Sequence, residues 1–147
     1  MLKIENIIDL SDNPKAHISQ EFGVPWVRNP LEVHNGVDIA GLSKFTKVFA
    51  TGKIIKAGYH FDDPIHAFGN RVAVQFAPGL GLWLCHFDGI PDMTRTGKQI
   101  ENELVGFVGS SGSSLGTHLH IGVKDLITGR WYDPKVYINL ATVMKNG

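Results

Sequence analysis

Arg71-Val-Ala-Val-Gln-Phe76, then Ala77-Pro-Gly-Leu-Gly81, then Leu82-Trp-Leu-Cys-His-Phe87 is the stretch whose reading decides the fold class. Two runs of aliphatic and aromatic side chains flank a segment holding Pro78, Gly79 and Gly81. That is the order strand, turn, strand. The first run alternates only in part, as expected of a strand covered on both faces in places. Working outward, 53–59, 104–108 and 118–123 have the same length and character, and the last two are separated by a Gly- and Ser-rich run over 109–116. No long amphipathic helix is legible: 100–105 is too short, and 138–145 offers a terminal turn or two. The expectation is an all-β, mostly antiparallel domain with a compact two-sheet core.

Composition bounds the rest. At 147 residues, 43% of them apolar and 19% charged, the chain can bury a core without cross-links and is not a disordered polymer. We find no linker, low-complexity tract or repeat, so residues 1–147 are read as a single domain. Lys and Arg number 14 and so do Asp and Glu, and this balance gives no field that would draw the protein to nucleic acid. The single cysteine, Cys85, cannot form an internal disulfide, so it leaves the redox compartment open. No apolar run reaches the ~18 residues of a membrane span, so no membrane insertion is expected. Glu5 and Asp9 interrupt the first ten residues, so no signal peptide is read there.

Four of the seven histidines stand in patterns that suit a metal site. The first is His34-Asn-Gly-Val-Asp38. Asn35-Gly36 disfavours a helix, and a straight strand would hold the two residues ~13 Å apart. Donors on one zinc each lie ~2.0–2.2 Å from it. The chain must bend for the pair to share an ion, and Asn-Gly is a dipeptide that bends. Alone, the pattern is weak, and a turn histidine with a capping aspartate is its ordinary reading. The second is His118-Leu-His-Ile-Gly-Val123. In a strand, His118 and His120 share one face and Leu119, Ile121 and Val123 the other. Two solvated histidines on a surface strand would look the same. The preceding Gly/Ser run tilts the balance toward a site, because such a run costs backbone entropy and usually serves a close approach. The third is His86, ending an apolar run, where a lone histidine is more often a satisfied core residue than a catalyst.

The order of these patterns resembles the lysostaphin/LytM-type zinc metallopeptidases, over about 18–137. Ile18-Ser-Gln-Glu-Phe-Gly23 is similar to that family's opening segment, and His34-Asn-Gly-Val-Asp38 to its H-x-G-x-D block. Residues 48–54 and 69–74 resemble the two strands that follow. Leu84-Cys-His86-Phe87 stands where the family has aromatic-x-His-Leu. Val105-Gly-Phe-Val-Gly-Ser110 through His118-Leu-His120 matches its most specific block, and Asp133-Pro134 with Tyr137 its closing turn. Thr117, Ile121 and Phe87 replace frequent proline, phenylalanine and leucine, none of them a ligand. No tyrosine stands where some members carry an active-site tyrosine.

The resemblance implies long groove-forming loops on the β core and one Zn²⁺ per chain held by His34, Asp38 and His120, with a fourth position open. It implies His86 and His118 as the proton-handling pair, and Asn70 as a groove residue binding substrate backbone, although a turn role would also suit an asparagine there. The substrate it implies is the peptide part of bacterial peptidoglycan, in cross-bridges or stem peptides; with no leader read in the sequence a phage lysin or virion-associated enzyme fits well, and so does a bacterial enzyme trimmed of its leader. Three other readings compete. A catalytically idle family domain that binds peptidoglycan or regulates another cell-wall hydrolase usually lacks one or more of the five positions, and here all are filled. The other peptidoglycan carboxy- and dipeptidases separate histidine from aspartate by six residues, not three. A structural role in a phage tail tip is compatible with hydrolysis. Of the remaining candidates, His60, Asp62, Asp63 and His66 read as a solvated groove loop. Trp26, Trp83 and Trp131 read as core or groove packing, and Cys85 as an inert core thiol.

Overall fold

The computed structural model describes Ile4, Ile7, Ile8 and residues 13–25, 31–59, 68–111 and 116–139. Eight strands account for most of these: β1 (His17–Gln20), β2 (Val37–Ala40), β3 (Lys47–Tyr59), β4 (Asn70–Ala77), β5 (Leu80–Gly89), β6 (Gln99–Val108), β7 (Leu119–Asp125) and β8 (Trp131–Tyr132). Among the described residues the one helical element is a 3-10 turn, Pro134–Val136, capped by the Asp133 side chain. All strand pairs are antiparallel. No helix among the described residues is long and apolar enough to cross a membrane.

The central hairpin is the one the sequence announces. Pro78 and Gly79 form its turn, and Gly79 takes φ 72°, the left-handed position that glycine occupies at no steric cost. β4 and β5 then pair from Ala77↔Leu80 to Asn70↔Phe87. The sheet runs β1-β2-β7-β5-β4-β3-β6, with β8 beside β7. β6 also pairs with β5, through Phe87↔Val108 and Gly89↔Phe107, so the sheet folds over and closes on its own middle. The two expected layers are therefore one continuous sheet wrapped around its core. The segment 100–105, too short for a helix, is the middle of β6.

Val37 and Ile39 of β2, Leu82 and Leu84 of β5, and Leu119, Ile121 and Val123 of β7 fill the main core with alternate side chains. Each such side chain contributes roughly 1.5–3 kcal/mol by leaving water. The opposite face of β4 and β5 carries a smaller cluster of Ala73, Trp83 and Cys85, with Phe68 and Trp131 packed on it. This second covering explains why 71–76 alternates only in part. Cys85 is fully buried, but in this smaller cluster rather than the main core.

One irregularity positions the site. Val72 pairs with Leu84, whereas Asn70 pairs with Phe87, so β5 carries one extra residue opposite Arg71. At this bulge His86 adopts φ 69°. Leu82 and Leu84 reach the main core from even positions, and Phe87 reaches it from an odd one. The bulge thus resets the inward alternation and turns His86 away from the core it would otherwise enter.

Candidate functional site

β2, β5 and β7 are neighbours in the sheet, and His34, Asp38, His86, His118 and His120 gather where they meet. The bend predicted at Asn35-Gly36 is present: His34 Nε2 lies 3.3 Å from Asp38 Oδ1. Gly36 permits it, because a Cβ there would collide with the Ile121 carbonyl and the His120 ring. Asp38 faces His120 directly across the β2–β7 ladder, and His120 Nδ1 sits 2.8 Å from the same Oδ1. His118 Nε2 is 3.7 Å from that oxygen as well. Three imidazoles therefore surround one carboxylate oxygen.

Burial and partners separate these histidines. The ligand atoms of His34, Asp38 and His120 all lie within 4.8 Å of one another, close enough to share an ion, and His118 is not of that group. His34 and His120 are buried. His118 is partly open, and its ring stands 4.6 Å from that of His86. His34, Asp38 and His120 thus form one compact donor group, and His86 and His118 stand side by side next to it.

The ring nitrogens follow one rule. His34 Nδ1 lies 3.0 Å from the Glu21 carbonyl, His86 Nδ1 2.6 Å from that of Ser111, and His118 Nδ1 2.9 Å from that of Gly116. A carbonyl only accepts, so each Nδ1 carries the hydrogen and each Nε2 keeps a lone pair. The backbone sets these three tautomers. Glu21 is itself held by Lys135, at 2.5 Å, and Gly23 and Val24 exchange backbone hydrogen bonds with His34.

The electrostatics follow from the crowding. Burial alone would raise the Asp38 carboxyl, but hydrogen bonds from His120 and His34 outweigh it and hold the group well below the usual carboxylate range. Burial lowers the His86 imidazole to about 4, against the opposing pull of the Ser111 carbonyl. Burial likewise lowers His120. The Cys85 thiol, enclosed opposite His120 in the β5–β7 ladder, is pushed up by burial, and it is not among the donors that gather at the site.

The donor set fits zinc. Two imidazoles and one carboxylate, without thiolate, make the three-ligand arrangement of catalytic zinc sites, whereas structural sites close with four. By accepting the Nδ1 hydrogen, the Glu21 carbonyl presents the Nε2 lone pair of His34 to the centre, as the outer partners of metal-bound histidines usually do. His120 Nε2 is buried without a hydrogen-bond partner among the described residues, so this ring is directed by Nδ1 toward the carboxylate.

The sequence profile of peptidase family M23 matches residues 32–134, a span that holds every one of these side chains. The chain belongs to peptidase family M23. Its fold is that of the catalytic domain of the antimicrobial peptidase lysostaphin from Staphylococcus simulans, with a TM-score of 0.72, 21% identity, and coverage of 88% of this chain and 97% of that one. A second lysostaphin structure is similar with a TM-score of 0.72 and 25% identity, covering 91% of this chain and 53% of that one. The catalytic domain of the prophage-encoded M23 protein EnpA from Enterococcus faecalis is similar with a TM-score of 0.66 and 23% identity, covering 84% of this chain and 92% of that one.

The remaining sequence candidates divide. Asn70 opens β4 beside the His86 bulge, partly buried, and its backbone N–H bonds to Ser111 Oγ. Trp83 and Trp131 pack edge-to-face in the smaller cluster, and Phe68 stacks at 5.8 Å on the His120 ring. His60, Asp62, Asp63, His66 and Trp26 lie outside the described residues. Glu21, Gly116 and Ser111 went unnoticed in the sequence. Their contribution is a backbone carbonyl, which every residue type supplies, and only the Gly/Ser run hints at two of them.

Proposed function

We propose that this M23 domain is a zinc-dependent endopeptidase that hydrolyses peptide bonds in bacterial peptidoglycan, in cross-bridges or stem peptides, and acts at the cell wall. The observation that carries this reading is the convergence of three imidazoles with oriented nitrogens on Asp38 Oδ1. His34, Asp38 and His120 would hold one zinc. When bound, zinc supplies a Lewis acid that polarises a peptide carbonyl and lowers the pKa of water. The low-lying Asp38 keeps its negative charge at any pH where the imidazoles are neutral, so it balances part of the cation's charge.

The other two histidines handle protons. With Nδ1–H on backbone carbonyls, neutral His86 and His118 each offer Nε2 as a base. His118 is the nearer to the donor group, 3.7 Å from Asp38 Oδ1, and we assign it the proton of the attacking water. The resulting His118 imidazolium then serves as donor to the developing oxyanion and the leaving amine, while neutral His86, its Nδ1–H held by the Ser111 carbonyl, offers its Nε2 lone pair as an acceptor beside it. Asn70, at the mouth of the bulge, would bind substrate backbone.

Digesting purified walls of several cross-bridge types, with mass spectrometry of the fragments, tests the reading. Metal-loaded protein should release new amino termini from peptide bonds, and chelated protein should release none. Intact walls after exhaustive incubation with zinc-loaded protein would reject it.

A further inference from the structure

Ser111 ties together the segments that converge on His86. Its Oγ accepts the Asn70 backbone N–H at 3.0 Å and donates to the Phe87 carbonyl at 2.6 Å. Its own carbonyl accepts from His86 Nδ1 at 2.6 Å. The two backbone groups bridged by the hydroxyl belong to Asn70 and Phe87, the ladder pair at the edge of the β5 bulge. The bulge is a place that needs holding. His86 sits at φ 69°, a region non-glycine residues rarely adopt and keep only when their surroundings over-determine it. The Phe68 carbonyl takes the His86 N–H at 2.9 Å, so backbone and ring of this residue are both fixed by hydrogen bonds from outside β5.

A histidine with one nitrogen committed to a carbonyl has its tautomer and ring plane set together. Without that commitment the ring rotates, or carries its hydrogen on Nε2 and loses the lone pair a base requires. The hydroxyl of Ser111 does not touch His86. It fixes the position of the carbonyl that does.

We infer that Ser111 is a positioning residue for His86: its side chain clamps the β4–β5 bulge so that its backbone carbonyl holds His86 in the Nδ1–H form, with Nε2 presented to the site. The inference deepens the proposed function, because it gives His86 the proton-handling role assigned there. Alanine at 111 leaves the Asn70 N–H and the Phe87 carbonyl without their partner and lets the carbonyl at 111 drift. Threonine keeps the hydroxyl, and with it the clamp.

The test uses the zinc-loaded 147-residue chain with ¹⁵N-labelled histidine. Long-range ¹H–¹⁵N spectra report which ring nitrogen of His86 carries the hydrogen. Soluble cross-linked muropeptides give kcat and KM, and metal content and melting temperature are measured alongside. Wild-type protein should show His86 with hydrogen on Nδ1. Ser111→Ala should retain zinc, lose that single tautomer, and lower kcat roughly 10- to 100-fold with KM little changed, since a positioned acid or base is worth ~10²–10⁴. Ser111→Thr should restore both the tautomer and kcat to within a few-fold.

A wild-type His86 with its hydrogen on Nε2 overturns the inference, and this arm needs no variant to fold. So does a Ser111→Ala protein with unchanged tautomer and kcat. Loss of activity that tracks loss of zinc or of melting temperature, with Ser111→Thr no better, would make Ser111 a strand clamp only and also overturn it. If wild-type protein cleaves no muropeptide, the endopeptidase reading fails, and the tautomer comparison still decides what Ser111 does to His86.

Discussion

Leu119, Ile121 and Val123 share a single stretch with His118 and His120, yet the two sets face opposite worlds. The aliphatic side chains are fully buried in the main core. The histidines point across the sheet to Asp38, one closed in and one partly open. A strand's two-residue period lets a single segment serve both purposes, with the core face fixing the height and angle at which the other face presents its nitrogens. β5 is built otherwise. Its inward alternation is broken at His86 by an extra residue, and the histidine is delivered by backbone strain and external hydrogen bonds. β7 positions by regularity and β5 by exception, so damage to the two should read out differently.

The largest effect belongs to the shared carboxylate. Asp38→Ala or His34→Ala leaves two donors, too few to hold a catalytic ion. Both metal and hydrolysis should vanish, as checked by elemental analysis and wall digestion. Substantial zinc with full activity in either variant would break the comparison at its centre. Next comes the exception in β5. His86→Ala should keep near-stoichiometric zinc and lose ~10²–10⁴ in kcat.

Leu119 sharpens the contrast on β7. Leu119→Ala removes a fully buried core side chain and should cost about 2–5 kcal/mol of stability by chemical denaturation. His118→Ala, one residue away with its side chain 16% exposed, should change stability far less. Equal costs would mean that the two faces are not divided as described.

How much of this was legible beforehand depends on what each element rests on. The β4–β5 hairpin shows in the sequence because Pro78-Gly79 and the flanking apolar runs act locally. β1, β2 and β8 do not: strands of two to four residues hold too few positions to display a period, and long-range pairing defines them. The five site positions were legible as side-chain types in order, and the bend at Gly36 as turn chemistry. The tautomers were not, since carbonyls of Glu21, Ser111 and Gly116 leave no mark in side-chain identity. Nor was the bulge, which places a positive φ on a histidine rather than on a glycine.

A smaller effect comes from pH. An exposed histidine in the unfolded chain gains its proton near pH 6.5, whereas burial delays this in folded His86 until about 4. Between those values the unfolded state binds more protons, so stability is full above pH 6.5 and declines as pH falls toward 4. His120, lowered by burial as well, acts in the same direction. The melting temperature of metal-free protein should fall across this window. A flat profile would mean that these rings are not buried as neutral groups.

The central claim is that His118 and His120, two residues apart on one face, divide between proton transfer and metal binding. Measuring zinc content and kcat together for His118→Ala and His120→Ala tests it most directly. The account predicts that His118→Ala retains its zinc while kcat falls ~10²–10⁴-fold, and that His120→Ala loses the metal and all hydrolysis. Zinc lost from His118→Ala but kept by His120→Ala would contradict the division of roles, and zinc and activity kept by both would reduce this stretch to an ordinary surface strand.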